Sequence, residues 1–269
     1  MKASISAWSY RWFFEQKKMD YAAFADEVKR LGADGFEVFP NYIDARNPGG
    51  HLKRIIRKAA SRGLEISSVI AGNDFARPPA RGRAEQVERM QQWIAYTAEA
   101  GVNRMNVFTG YHVSGEDPVA EVFRVIDCYR EVMPVAEKHD VTLCIENHSS
   151  VCPDADGLLR IIRAVGSPYL RTNPDPTNFV PEYPLRSQRA LEAVYTETAK
   201  VAPLMANAHL KICDFTPDGE HAYVSAKRLL AIFRKAAKYK GHVVLEVNQR
   251  PEQAREICAK GLALLRRYF

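Results

Sequence analysis

The apolar run 141–145 (VTLCI) ends abruptly on a carboxylate, an amide and an imidazole, Glu146, Asn147 and His148. In a parallel sheet the carboxyl ends of the strands are where ligands bind, so a charge placed there suits chemistry better than packing. Other apolar runs carry a comparable residue: Asp175 follows 170–174, His209 lies within 206–212, and Glu246 lies within 242–247. Four successive strands thus each bring one donor to the same rim. Three carboxylates and one imidazole are mostly hard oxygen donors, which suit Mn²⁺ or Mg²⁺ and also accept Zn²⁺ or Co²⁺. Grouping three carboxylates without a cation would be electrostatically costly, which favours a shared metal.

Such an ion can hold a carbonyl oxygen and the neighbouring hydroxyl together, acidifying the proton on carbon and stabilising an enediolate. Glu146 and Glu246 approach from different strands, so one can remove a proton and the other return it. His148 shares the face of Glu146 if the strand continues, and is a candidate substrate contact. His112 (GYH) and His221 (GEH) stand in rim loops and are weaker candidates. Trp8 is the best aromatic candidate for stacking on a substrate, ahead of Phe39, Phe75 and Phe108, which core packing explains equally well. Glu37, inside an expected strand, reads equally well as a hydrogen-bonded inward carboxylate.

The elements that must position these residues follow a regular strand–helix rhythm. Strands are expected over 3–10, 35–40, 64–71, 104–109, 141–145, 170–174, 206–212 and 242–247, each followed by a helical pattern. Asp20 reads as a helix N-cap with Gly32 as its stop, Asp154 opens another helix, and Pro134 marks a kink or break in the long helix from Pro118 to about His139. Residues 175–185 form a Pro-rich loop. Eight repeats without a break in composition predict an α/β fold, a closed (β/α)8 TIM barrel forming one domain over residues 1–269, a length close to the ~250 residues such a barrel needs.

Composition narrows the setting. A hydrophobic fraction of 46% and a charged fraction of 26% are those of a globular protein. The +6 charge is spread over helix faces, which disfavours a nucleic-acid partner. Five cysteines without CxxC spacing favour a reducing cytoplasm, and no run approaches the ~18 apolar residues of a membrane span. A homo-oligomer is compatible with all of this.

The motifs NDFARP, VFTG, IENH, DPTNF, HLK and LEV together resemble the xylose-isomerase-like TIM barrels, a large group of sugar and sugar-phosphate isomerases, epimerases and related enzymes. The resemblance implies that Glu146, Asp175, His209 and Glu246 are the metal ligands. It implies also that Asn178, in the D-x-x-N motif, and Lys211, in HLK, face the substrate. The chain departs from the ketose 3-epimerase branch, which carries a glutamate and an arginine where Cys152 and Phe215 stand. It departs equally from the trinuclear-zinc endonuclease branch, because Asn178 occupies the place of one of the histidines needed there. The expected function is therefore a metal-dependent isomerase or epimerase of a small sugar or keto-sugar derivative. A lyase or dehydratase acting on an inosose or 3-keto sugar is the alternative, and a DNA-repair endonuclease a distant third.

Overall fold

The computed structural model describes every residue except 149–150, 181–186, 238 and 249. Its eight parallel strands are β1 Lys2–Ser6, β2 Gly35–Val38, β3 Glu65–Ile70, β4 Arg104–Val107, β5 Thr142–Glu146, β6 Leu170–Asn173, β7 Ala208–Ile212 and β8 His242–Val247. They form one curled sheet in the order β6-β5-β4-β3-β2-β1-β8-β7. The seam between β6 and β7 is closed by a parallel bridge between Thr172 and Met205 and by two backbone bonds. Ala206 N donates to Thr172 O at 3.1 Å, and His209 N donates to Pro174 O at 2.9 Å. The second bond sets His209 beside Asp175. The expected (β/α)8 TIM barrel is what forms.

A short helix α1 (Arg11–Glu15) follows β1. Around the barrel run α2 (Tyr21–Leu31), α3 (Pro48–Ala60), α4 (Arg83–Glu99), α5 (Pro118–Lys138), α6 (Ala155–Val165), α7 (Gln188–Val201), α8 (Ala226–Ala237) and α9 (Ala254–Tyr268). Asp20 and Asp154 cap their helices as expected, accepting from Ala23 N at 2.8 Å and Gly157 N at 2.7 Å. Gly32 ends α2 in the left-handed region at φ 74°. No helix among the described residues is long and apolar enough to cross a membrane. All five cysteines are buried, and none forms a disulfide.

Alternation along each strand divides the core into two layers. Leu143 and Ile145, Leu210 and Ile212, and Val243, Leu245 and Val247 are all fully or almost fully buried, on the strand faces that meet the helices. The opposite face, lining the barrel, is unusually polar: Ser4, Ser6, Glu37, Ser68, Asn106, Glu146, His209 and Glu246 are buried there. Gly35 takes part in this layer because a Cβ would come within 2.2 Å of the Glu65 carbonyl oxygen.

Two sequence expectations need correction. The first strand stops at Ser6 rather than Tyr10; Ala7–Tyr10 is a 3-10 turn. Ser6 Oγ accepts from Trp8 N at 3.4 Å, while Ser9 Oγ donates to Leu245 O at 3.2 Å and accepts from Val247 N at 2.9 Å. The side-chain bonds of two serines thus override the strand-like pattern. Pro134 does not break α5, which continues to Lys138. Tyr129, Val132, Met133 and Ala136 bury the same stretch, and packing outweighs the bond that proline removes.

Candidate metal centre

Each element delivers its side chain for a local reason. Glu146 is the last residue of β5 and lies opposite Asn173 of β6. Asn147, one residue on, faces the neighbouring strand and clamps the next donor: its Nδ2 donates to Asp175 O at 2.9 Å and its Oδ1 accepts from Asp175 N at 2.8 Å. Asp175 is thereby fixed just before the 3-10 turn Pro176–Phe179. On the other side of the seam, Lys211 of β7 pairs with Glu246 of β8, and His209 lies one inward position below.

The donors converge. Glu146, Asp175 and His209 each offer a ligand atom within 4.8 Å of the other two, and all three are buried. His209 Nδ1 is 3.4 Å from Glu246 Oε2 and 3.6 Å from Glu146 Oε2, and it makes no hydrogen bond among the described residues. The other ring nitrogen is held firmly: Nε2 lies 3.1 Å from Glu37 Oε1. Glu37 is buried and accepts from Ser6 Oγ at 2.9 Å and Ser68 Oγ at 2.5 Å. A carboxylate facing Nε2 keeps a proton there, so once an incoming cation displaces the other proton the ring can offer its Nδ1 lone pair on the side of Glu146 and Glu246. A buried, unpartnered imidazole nitrogen aimed at a carboxylate ring fits a divalent cation.

Charge points the same way. Four buried carboxylates, Glu37, Glu146, Asp175 and Glu246, face one ammonium, Lys211, and one imidazole. Lys211 Nζ lies 2.8 Å from Asp175 Oδ2 and 3.5 Å from Glu246 Oε1, and donates to Asn178 Oδ1 at 2.5 Å. Asn178 Nδ2 in turn donates to Glu146 Oε1 at 3.3 Å, and Asn106 Nδ2 donates to Glu146 Oε2 at 2.6 Å. One ammonium leaves the cluster short of positive charge, and a divalent ion would restore the balance.

Burial pushes the Glu146 carboxyl up to about 8, with Glu246 and Asp175 adding to the rise against His209 and Lys211. For Glu246 burial acts in the same upward sense, but Lys211 and His209 outweigh it and hold the group well below the ordinary carboxylate range. His209 is lowered by burial and raised more strongly by Glu37 and Glu146, ending well above an ordinary imidazole. Without a cation the cluster therefore carries protons at neutral pH that an incoming ion must displace. Affinity for Mn²⁺ is expected to rise with pH through about 8, and to fall below it by up to about tenfold per unit for each proton displaced. Calorimetric titration from about pH 6 to about pH 9 would check this; a pH-independent affinity contradicts it.

A cavity of about 460 Å³ opens above the cluster, with Glu146 and Glu246 at its floor and Trp8, Phe39, Phe108 and His148 among its walls. Trp8 stands on the 3-10 turn, not on the strand, yet lines the cavity as expected. His148 is exposed at the mouth, its ring 5.2 Å from that of Phe108. Asn178 and Lys211 are inside the cluster, bonded to its carboxylates.

His112 is not brought to the cluster: its Nδ1 lies 2.8 Å from Glu121 Oε2 on α5. His221 is buried and structural, with Nε2 donating to Lys211 O at 2.8 Å and Nδ1 accepting from Tyr223 N at 3.1 Å. Phe75 is core, packed edge-on against Tyr129 at 5.0 Å. The functional contributions of Asn106 and Asn147 were not foreseen, although the amide in IENH was the available signal for the second.

The chain belongs to the xylose isomerase-like TIM barrel family, whose sequence pattern matches residues 25–268. The structure is similar to D-psicose 3-epimerase determined in the presence of D-fructose, at a TM-score of 0.78 and 15% identity over 100% of this chain and 99% of that one. It is similar also to the probable 3-DHS dehydratase AsbF of Bacillus anthracis, at 0.72 and 16% over 99% of each chain. The IOLI protein with a bound zinc atom aligns at 0.76 and 12%, over 100% of this chain and 99% of that one. No curated protein matches the sequence significantly.

Proposed function

We propose that the protein is a divalent-metal-dependent isomerase or epimerase that moves a proton on a small sugar or keto-sugar derivative through an enediolate. The observation that carries the reading is His209 Nδ1, which has no hydrogen bond among the described residues and faces Glu146 and Glu246 while Glu37 holds Nε2. Glu146, Asp175, His209 and Glu246 would hold the ion, with Mn²⁺ or Mg²⁺ favoured by the three carboxylates and Zn²⁺ or Co²⁺ also compatible. When bound, it polarises the substrate carbonyl and lowers the cost of the negative charge that develops beside it. Glu246, near the end of β8 on the cavity floor, is placed to take a proton from carbon at its Oε atoms. Glu146, on the facing strand, is suited to return one. Lys211 and Asn178 orient hydroxyl groups, Trp8 and His148 contact the substrate at the walls and mouth, and His112 contributes only if the rim loops draw together around the substrate. Buried cysteines outside any disulfide and a small-molecule site agree with a cytoplasmic enzyme, and a homo-oligomer is compatible with the fold.

A lyase outcome is the second reading, and Cys152 favours it. This thiol stands where ketose 3-epimerases carry a glutamate; it is buried, and burial pushes it up to about 11, so it cannot act as a carboxylate at neutral pH. Incubating keto sugars and inososes with the Mn²⁺-loaded protein in deuterated water decides between the two. Deuterium at the α-carbon with every substituent retained is the expected result. Release of water or an alcohol makes the protein a lyase, and no exchange with any compound removes both readings.

A further inference from the structure

The cavity above the cluster does not end at its own wall. Trp8, Phe39 and Asn41 line it, and the same three residues line a second, larger cleft of about 920 Å³. Four aromatic rings run in a row between the two spaces. Trp8 meets Phe39 edge-on at 5.2 Å, Phe39 meets Tyr42 at 5.4 Å, and Tyr42 lies parallel to Phe14 at 4.4 Å with an interplanar angle of 1°. The far end is rimmed by Glu15 and Lys17.

The smaller cavity is already of the size that holds a small ligand, typically about 300–1,000 Å³. A free monosaccharide at the metal centre would leave the cleft beyond Trp8 to water. Aromatic faces flanked by charged and amide groups suit a ring that is apolar on its faces and polar at its edge. We propose that the substrate is a glycoside of a keto sugar: its head, with the ketone at a ring carbon other than the anomeric one, sits over Glu146 and Glu246, and a second ring, joined through the glycosidic oxygen, lies in the Phe14–Tyr42–Phe39 cleft. The proposal rests on the reading of the cluster as a sugar site. It makes Trp8 and Phe39 the divide between a head subsite and a second-ring subsite.

Ala23 is exposed on α2 and lines only the cleft, so Ala23→Trp fills the second-ring subsite without touching the metal cluster. Calorimetry on the Mn²⁺-loaded parent and variant would use the methyl, phenyl and disaccharide forms of glucose, galactose and mannose as non-reacting analogues, with a hydroxyl in place of the ketone. For at least one sugar, the phenyl or disaccharide form is expected to bind the parent about tenfold or more tightly than its methyl form. That advantage disappears in Ala23→Trp while the methyl form is unaffected. If no member of the set shows a gain that Ala23→Trp removes, the second-ring subsite is overturned. Failure of the metal-centre reading is separate: it shows as absent Mn²⁺ binding in the parent.

Discussion

Glu146→Gln is expected to lower turnover by about 10²–10⁴-fold, the range over which a positioned acid or base accelerates proton transfer. The variant also weakens Mn²⁺ binding, because an amide oxygen is a poorer donor than a carboxylate. Saturating Mn²⁺ separates the two contributions. If Glu146 acted only as a ligand, excess Mn²⁺ would restore the parental kcat, with the deficit confined to the metal concentration required. A kcat that stays low at saturation identifies Glu146 as the proton carrier as well. The substitution is sterically mild: Gln can still accept from Asn106 Nδ2 through its oxygen, and its NH₂ then faces Asn178, whose side chain must turn its own oxygen toward it. That turn would release the Asn178 oxygen from Lys211 Nζ, so a shift in sugar affinity accompanies the loss of turnover. Full activity in metal-replete Glu146→Gln would sink the proposed proton transfer.

The rim of this site was legible because each donor interrupts or ends an apolar strand pattern, where a charge has no packing role. The same logic failed one layer down. Glu37, Asn106 and Ser68 sit at inward strand positions, and nothing in a linear pattern distinguishes a polar residue bound to a neighbouring strand from one facing water. Glu37 could be read only as ambiguous until the fold brought β2 across the barrel from β7 and its carboxylate onto His209 Nε2. Asn147 is a different case: its partner is the backbone of Asp175, so its role depends on strand adjacency and not on its own neighbours in sequence. Tyr10 and Trp8 continued a strand-like composition, yet Ser6 and Ser9 turned the chain by hydrogen bonds that hydropathy does not record. His112 and His148 stand in rim loops, where sequence assigns no direction; the fold sends one toward Glu121 and the other to the cavity mouth.

Glu37→Gln is expected to reduce Mn²⁺ affinity by about 10–100-fold, although Glu37 is not among the residues that would touch the ion. Glu37 is a positioning residue, and its effect runs through the tautomer of His209. As a carboxylate it can only accept, so His209 keeps a proton on Nε2, and the proton that an incoming cation displaces is the one on Nδ1. A glutamine at this position can instead donate its amide N–H to Nε2. The imidazole proton then moves to Nδ1, where Glu146 Oε2 and Glu246 Oε2, at 3.6 Å and 3.4 Å, favour it, and the lone pair meant for the metal is lost. A purely structural role predicts something else: lower thermal stability with unchanged affinity in the folded fraction. The hydroxyls of Ser6 and Ser68 can rotate to suit an amide, and removing one of four clustered carboxylates relieves repulsion, so the folded state is expected to keep most of its stability. Nitrogen NMR of the imidazole reads the tautomer directly, and calorimetry reads the affinity. In a double-mutant cycle with His209→Asn the second substitution should add little, because both act on the same nitrogen. Additive losses, or an unshifted Nδ1 resonance, would place the role of Glu37 elsewhere than on His209.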